Sequence, residues 1–325
     1  MELRVFIVKR LILMLLTFFL LASLVFVLFR IMPGDPAALV VSSALDQEAQ
    51  EALRAQFGLD KPLHVQYWLY VTSLLRADLG RSFHYRQPVV EVLLPRFLNT
   101  VVLIGPAMIL ALLLGSTLGA LTAARRATKW DAMGTVTSLT LKSMPSFWSS
   151  MLVLLFFSYR LGWFPAAGMR EPGSNFATLF DKFWSLDFLH HLALPLIILT
   201  LHFLAEPLLT MRNSMLEVGG EDFIDMARAK GIGERRVIYR HWVRNALLPV
   251  VSIIPMMLGH IIGGEVLVET VFSWPGLGRE IVNAIDTRDY PLAQASFLMM
   301  AVVVIGLNFL ADIVYASLDP RVKTE

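Results

Sequence analysis

No cysteine occurs in the 325 residues, so no disulfide staples the chain and no thiolate metal site can form. Charge is scarce too: 17% of residues are Asp, Glu, Lys or Arg against 56% hydrophobic, and mean hydropathy is +0.63. A soluble domain carries about a quarter charged residues, so the deficit points to a polytopic membrane protein. The net charge of +2 sets no orientation, because topology depends on where Lys and Arg fall. Catalytic signatures are also missing. No H-E-x-x-H, no G-x-S-x-G and no G-x-x-x-x-G-K-[ST] occurs, which leaves zinc proteolysis, elbow hydrolysis and nucleotide hydrolysis in this chain without a motif. The expectation is a non-enzyme with no cofactor and no metal.

What is present is a series of long apolar runs. Residues 11–29 follow Lys9 and Arg10 and hold no charge, close to the ~20 residues that span a bilayer. A cleavable signal peptide would have a shorter apolar core and a small-residue cleavage site, where this chain has Arg30-Ile31-Met32-Pro33. Pro33-Gly34-Asp35-Pro36 stops the helix. Residues 31–98 then read as an extracytoplasmic cap, with an amphipathic helix over Asp46–Phe57, another over Tyr67–Leu75, and a turn at Asp78–Ser82. Further spans are predicted over Phe97–Ala124, Met133–Tyr159 (bent at Pro145), His190–Met211, Ala246–Val268 and Tyr290–Ala311. Gly115 with Gly119, and Gly259 with Gly263, are small-xxx-small signals for close helix packing. Residues 161–188 form an outer loop with Trp163 and Trp184 suited to the membrane interface.

The fold expected is therefore an all-α polytopic membrane protein with six transmembrane helices. It divides into residues 1–30, the cap at 31–98 and a core at 99–325 that carries a charged loop at 212–245. Both termini, residues 125–133 and residues 212–245 share one side and hold fifteen Lys and Arg, against four in 161–188 and 271–290. The positive-inside rule places the first set in the cytoplasm.

The charged loop contains DFIDMARAKGIGERRVIYRHWVRN, residues 222–245. Phe223, Met226, Ala227 and Lys230 recur at helical spacing, with Glu221 and Asp222 at the start and Arg228 and Lys230 near the end, complementing the helix dipole. Asp222 is expected to cap the first turn and Gly231 to take the left-handed conformation that ends it. A second helix follows from Glu234, with Arg235, Arg236, Arg240 and Arg244. On periodicity alone this is a basic surface that holds to anionic lipid or a knob for a partner; the flanking spans argue against nucleic acid.

Asp225-Met226-Ala227-Arg228-Ala229-Lys230-Gly231 resembles the cytoplasmic EAA loop of ABC importer permeases. The continuation through His241, Arg244-Asn245-Ala246 and Pro249 is similar to the branch importing dipeptides, oligopeptides and nickel. So are Ser143-Met144-Pro145-Ser146-Phe147, 211–217, 272–279 and 288–291. Asp225-Met226 departs from the basic residue and Thr common there, and His241-Trp242-Val243-Arg244 replaces the I-x-L-P ending of the wider superfamily. The resemblance implies a coupling helix fitting an ATPase cleft, with Asp222, Asp225, Ala227, Arg228, Ala229, Lys230, Gly231, Arg235, His241 and Arg244 as coupling residues. It also implies a second homologous permease, two cytoplasmic ATPase subunits, an extracytoplasmic solute-binding protein and a bacterial or archaeal cytoplasmic membrane.

Other ionisable residues fall inside spans, where they must face protein or water. His202 and Glu206, at i and i+4, are a proton relay, a solute contact or a hydrogen-bonded structural pair. A proton-coupled secondary transporter using them is the alternative to an ATP-driven importer. Glu265 and Glu269 repeat the spacing and are either water-facing carboxylates at a pathway mouth or simply exposed at the interface. His190 and His191 do not share a helix face and have no third ligand near in sequence, so interface anchoring is favoured over metal ligation.

Overall fold

The computed structural model describes residues 3–31, 60–173, 183–263 and 265–318. Their secondary structure is helical: among the described residues the single β contact is a bridge between Arg81 and Pro88. In chain order the helices are α1 (Leu3–Ile31), α2 (Leu63–Leu75), α3 (Val89–Ala124), α4 (Lys129–Ser143) and α5 (Ser146–Val153), the last running into a π-helical segment at Leu154–Arg160. Then follow α6 (Leu186–Val218), α7 (Asp222–Ala229) and the single turn α8 (Glu234–Arg236), which continues as π-helix over Val237–Trp242 into α9 (Val243–Gly263). Three helices complete the order: α10 (Val266–Val271), α11 (Leu277–Asp286) and α12 (Tyr290–Leu318). Pro33–Pro36 and the helix expected over Asp46–Phe57 lie outside the described residues.

Among the described residues four helices are long and apolar enough to cross a membrane, within Ile7–Ile31, Val89–Ala124, Leu186–Val218 and Tyr290–Phe309; α4 with the Ser146–Arg160 segment makes a fifth if that pair is one span. The pair is bent by 98°. Pro145 does more than bend a helix: α4 ends at Ser143 and the chain restarts at Ser146, because proline has no N–H to return to the Leu141 carbonyl and Met144 is forced extended before it. The second span starts at Val89 rather than Phe97. Arg96, which marks the edge of the uncharged run, is accommodated inside the helix by Glu280, 2.6 Å from its Nε. The helix expected over Ala246–Val268 ends at Gly263, and a separate short helix begins at Val266.

Two compact units divide the chain. One comprises residues 1–99, 262–266 and 276–325, so the C-terminal helices group with the N-terminal ones. Here α1 packs along α12, and Phe29, Val89, Leu93, Leu277, Ala284 and Leu292 form the core. Asp289, almost fully buried, caps α12 by accepting from the Leu292 N–H at 3.2 Å and also accepts from the His84 N–H at 2.9 Å and the Ser82 hydroxyl. That gathers the expected turn at 78–82 and the 288–291 string into one polar knot. The turn is present, with the Gly80 N–H donating to Asp78 Oδ1 at 2.9 Å.

The second unit comprises residues 100–261 and 267–275. Leu103, Ile104, Ala107, Phe188, Leu199 and Trp274 lead its core. Gly115 and Gly119 let α3 lie directly on α6: a Cβ on Gly119 would overlap the Leu208 carbonyl oxygen, and one on Gly115 would sit 2.7 Å from the Pro207 ring. Gly259, by contrast, has nothing among the described residues within 4 Å of where a Cβ would stand. One turn beyond Leu208, Arg212 forks onto buried Asp131 at 2.6 and 2.9 Å, tying α4 to α6. Removing one partner of such a pair strands a buried charge, at a cost of about 3–5 kcal/mol.

Candidate coupling surface and its anchors

The charged loop folds as a small rigid body on the end of α6. In α7 the buried residues are Ile224 and Ala227, which pack with Val237, Ile232 and Trp242; Phe223 and Met226 point outward, 39% and 57% exposed. The face read from the sequence as apolar is thus split, because Ile224 supplies the inner side. Asp222 is not the cap: Glu221 occupies that position with no side-chain bond, and Asp222 begins the helix, exposed at its positive end.

At the other end the expected glycine stop is present. Gly231 has φ +73°, its N–H donates to the Arg228 carbonyl at 2.9 Å, and the next N–H, from Ile232, donates to the Ala227 carbonyl at 3.3 Å. With Ile232 packed against Ala227, this is a complete Schellman closure. Across the turn Arg228 forks onto Glu234, Nη2 at 2.9 Å and Nε at 3.3 Å, and reaches Asp225 at 3.4 Å. Hydrogen bonding to Arg228 holds the Glu234 carboxyl below its usual range, and the same bond raises Arg228. Both side chains are well exposed, so the fork orients the turn more than it stabilises it. Ala229, Lys230, Arg235 and Arg244 are exposed and His241 is half-buried.

Trp242 fastens this body to α6. Its indole N–H donates to the Met215 carbonyl, an acceptor in the last turn, and its ring lies where a Cβ on Gly219 would come within 2.5 Å. Sequence reasoning missed this anchor, although a tryptophan facing a Gly-Gly pair at the end of a span is a legible signal.

Of the ionisable residues inside the helices, Glu206 bonds Lys142 of α4, the residue before the last of that helix. His202 is not its partner: the Nδ1 atom of His202 is buried without a hydrogen bond among the described residues. Each of α4 and α6 thus brings one opposite charge to the contact, a complementarity that single-helix periodicity overlooks. Glu269 is fully buried and accepts from the Thr100 hydroxyl at 2.6 Å, which removes it from any water-facing position; Glu265 is half-buried. His190 Nε2 lies 2.8 Å from the Trp163 carbonyl. His191 bonds Asp187 at both its carbonyl, 2.9 Å, and its carboxylate, 3.1 Å. Glu171 brings a third ligand-type atom within 4.8 Å, a neighbour invisible to spacing along one helix.

An all-helical body with long apolar spans, an ion pair inside them and a rigid two-helix knob at the end of one defines a membrane subunit of a transporter. Residues 115–324 match the family described as the binding-protein-dependent transport system inner membrane component, and residues 3–104 match its N-terminal companion. The chain belongs to this family, whose members are ABC importer permeases. It is 37% identical over 319 residues to the glutathione transport system permease protein GsiC of Salmonella paratyphi A, covering 98% of each chain. The dipeptide transport system permease protein DppB of Escherichia coli is 37% identical over 333 residues, again 98% of each. The oligopeptide transport system permease protein AppB of Bacillus subtilis is 38% identical over 299 residues, 92% of each.

Proposed function

We propose that this permease works in an ATP-driven importer for a small peptide-like solute, delivered by an extracytoplasmic binding protein and moved through a pathway formed with a second permease. One of two cytoplasmic ATPase subunits docks on the knob at 222–242, and the second permease receives the other. The observation that carries the reading is the preorganised α7, which presents Phe223, Met226 and a set of charges outward while its own fixings face inward. The relatives' names supply the solute class. Six spans with both termini in the cytoplasm complete the arrangement; residues 246–263 hold no Asp, Glu, Lys or Arg, which suits α9 to the sixth. The segment 31–98 serves as a cap for binding-protein docking. A proton-coupled carrier is disfavoured because Glu206 is engaged by Lys142 and makes no bond to His202. The test fuses a topology reporter after Ser82 and after Glu234, and measures ATP hydrolysis by the assembled complex with and without binding protein. Outside and cytoplasmic readings, with stimulated hydrolysis, are expected. An outside reading after Glu234 overturns the proposal.

A further inference from the structure

From His202 onward the accessible polar positions of α6 fall on one line, apart from Arg212, which is held by Asp131. His202, Glu206 and Thr210 are half-exposed, and Asn213 and Glu217 are exposed. At 3.6 residues per turn these five positions fall within about 80° of arc. Inside a membrane such a stripe faces water or protein, never lipid tails. Two further features meet it at Glu206. The helix breaks at Met144–Pro145, beside Lys142, and irregular backbone at membrane depth is tolerated where it is enclosed by protein or lines a water-filled cavity. The Lys142–Glu206 pair is itself accessible, at 49% and 35% side-chain exposure, unlike the more buried Asp131–Arg212 pair between the same two helices.

Resting on the importer reading above, we propose that this stripe lines the solute pathway and that Lys142 and Glu206 form its contact for a zwitterionic solute. Glu206 receives the ammonium end and Lys142 the carboxylate. Empty, the two charges satisfy each other, which limits the cost of holding either in the membrane. A solute with both charges exchanges one ion pair for two, and a solute with one charge strands the other residue. His202, one turn from Glu206 with Nδ1 free of any bond among the described residues, is placed to donate or accept as the pair opens.

Because this chain has no cysteine, an introduced one is its only thiol, and labelling is read on this chain after the subunits are separated. Thr210→Cys and Asn213→Cys, in the complex of both permeases, ATPases and binding protein, are treated with the cationic trimethylammonium-ethyl and the anionic sulfonato-ethyl methanethiosulfonates. Thr210→Cys, inside the span, should react at least about tenfold faster than Leu15→Cys, a residue on the exposed face of α1, while Asn213→Cys marks the rate at the cytoplasmic end. A Thr210→Cys rate no faster than that of Leu15→Cys overturns the pathway assignment. In the Thr210→Cys background, Glu206→Gln should lower the cationic-to-anionic rate ratio about threefold and Lys142→Met should raise it similarly. An unchanged ratio in both overturns the charge contact, and a charge-reversed double variant that still assembles excludes misfolding as the cause. Binding-protein stimulation of ATP hydrolysis is measured in the same unsubstituted preparation. Its absence sinks the importer reading, whereas the labelling decides the stripe.

Discussion

Replacing Gly231 tests the knob through backbone conformation alone. At φ +73° with nothing within 4 Å of where a Cβ would stand, an added side chain meets no neighbour, so the cost is the intrinsic penalty of the left-handed region. That penalty is about 1–2 kcal/mol for alanine and larger for a β-branched residue, while asparagine tolerates the conformation best of the non-glycine residues. Relieving it means abandoning the two closing hydrogen bonds from Gly231 and Ile232, worth about 1 kcal/mol each. An eight-residue helix does not persist alone, so α7 survives only while its closure and the burial of Ile224, about 1.5–3 kcal/mol, hold together. The expected order of transport is therefore Gly, Asn, Ala, Val, with alanine lowering the population of the intact knob roughly 5- to 30-fold relative to glycine. Uptake into proteoliposomes and binding-protein-stimulated ATP hydrolysis measure the effect, and co-purification of the second permease shows that membrane insertion and pairing persist. Gly231→Val with normal uptake would falsify the assignment of 222–242 as the coupling element.

Gly219→Ala places a Cβ against the Trp242 ring at 2.5 Å and should uncouple ATP hydrolysis from uptake while α7 stays folded; intact coupling would show that the Trp242 anchor is dispensable. Arg212→Met strands the buried Asp131 carboxylate and should destabilise the second unit by about 3 kcal/mol, read as a lower midpoint of thermal unfolding in detergent, with Asp131→Asn milder because Arg212 keeps partial access to solvent. Gly119→Val, set against the Leu208 carbonyl, should abolish accumulation in the membrane, whereas Gly259→Val should leave the folding of this chain unchanged. The Arg228 fork depresses the Glu234 carboxyl, so its contribution is present at neutral pH and is lost as pH falls through that lowered value; coupling of the parent should outlast ordinary glutamate titration, and Glu234→Gln should already show the loss at pH 7.

How far the sequence carries depends on whether an element's partner lies within the same helix. The apolar runs, the Gly115/Gly119 contact and the Gly231 stop are legible because each follows from spacing or backbone chemistry within a few residues. Contacts between distant segments are not. Lys142 reads as a stray charge in a span, and its meaning depends on Glu206 sixty-four residues later. Glu269 fits a mouth-lining pattern by spacing, yet Thr100 and the core around Trp274 bury it. Arg96 truncates the predicted span for the same reason: a lone charge reads as a boundary until its carboxylate is known. Ile224 stays hidden because the larger Phe223 and Met226 make an apolar face of their own with Ala227, and Ile224 lies about 100° and 160° round the helix from them.

The geometry also bears on how a push at the knob would reach the pathway. Helix α6 is continuous from Leu186 to Val218, so the Lys142–Glu206 contact and the Trp242 anchor at Met215 lie on one rod, about nine residues or ~13 Å apart along its axis. Pro195 and Pro207 interrupt its hydrogen bonding, and the second sits one residue past Glu206. The N–H missing at Pro207 would have bonded the Phe203 carbonyl, so the helix is softened across the turn that carries Glu206. On the proposed reading, a displacement of α7 carried by Trp242 into the last turns of α6 would be absorbed at Pro207 and felt first at Glu206. Gly115 permits this close to α3 because its missing side chain leaves the Pro207 ring in direct contact with backbone and no side-chain interlock to break. The two ends of the mechanism therefore need no separate relay: the same helix presents the solute contact and receives the force.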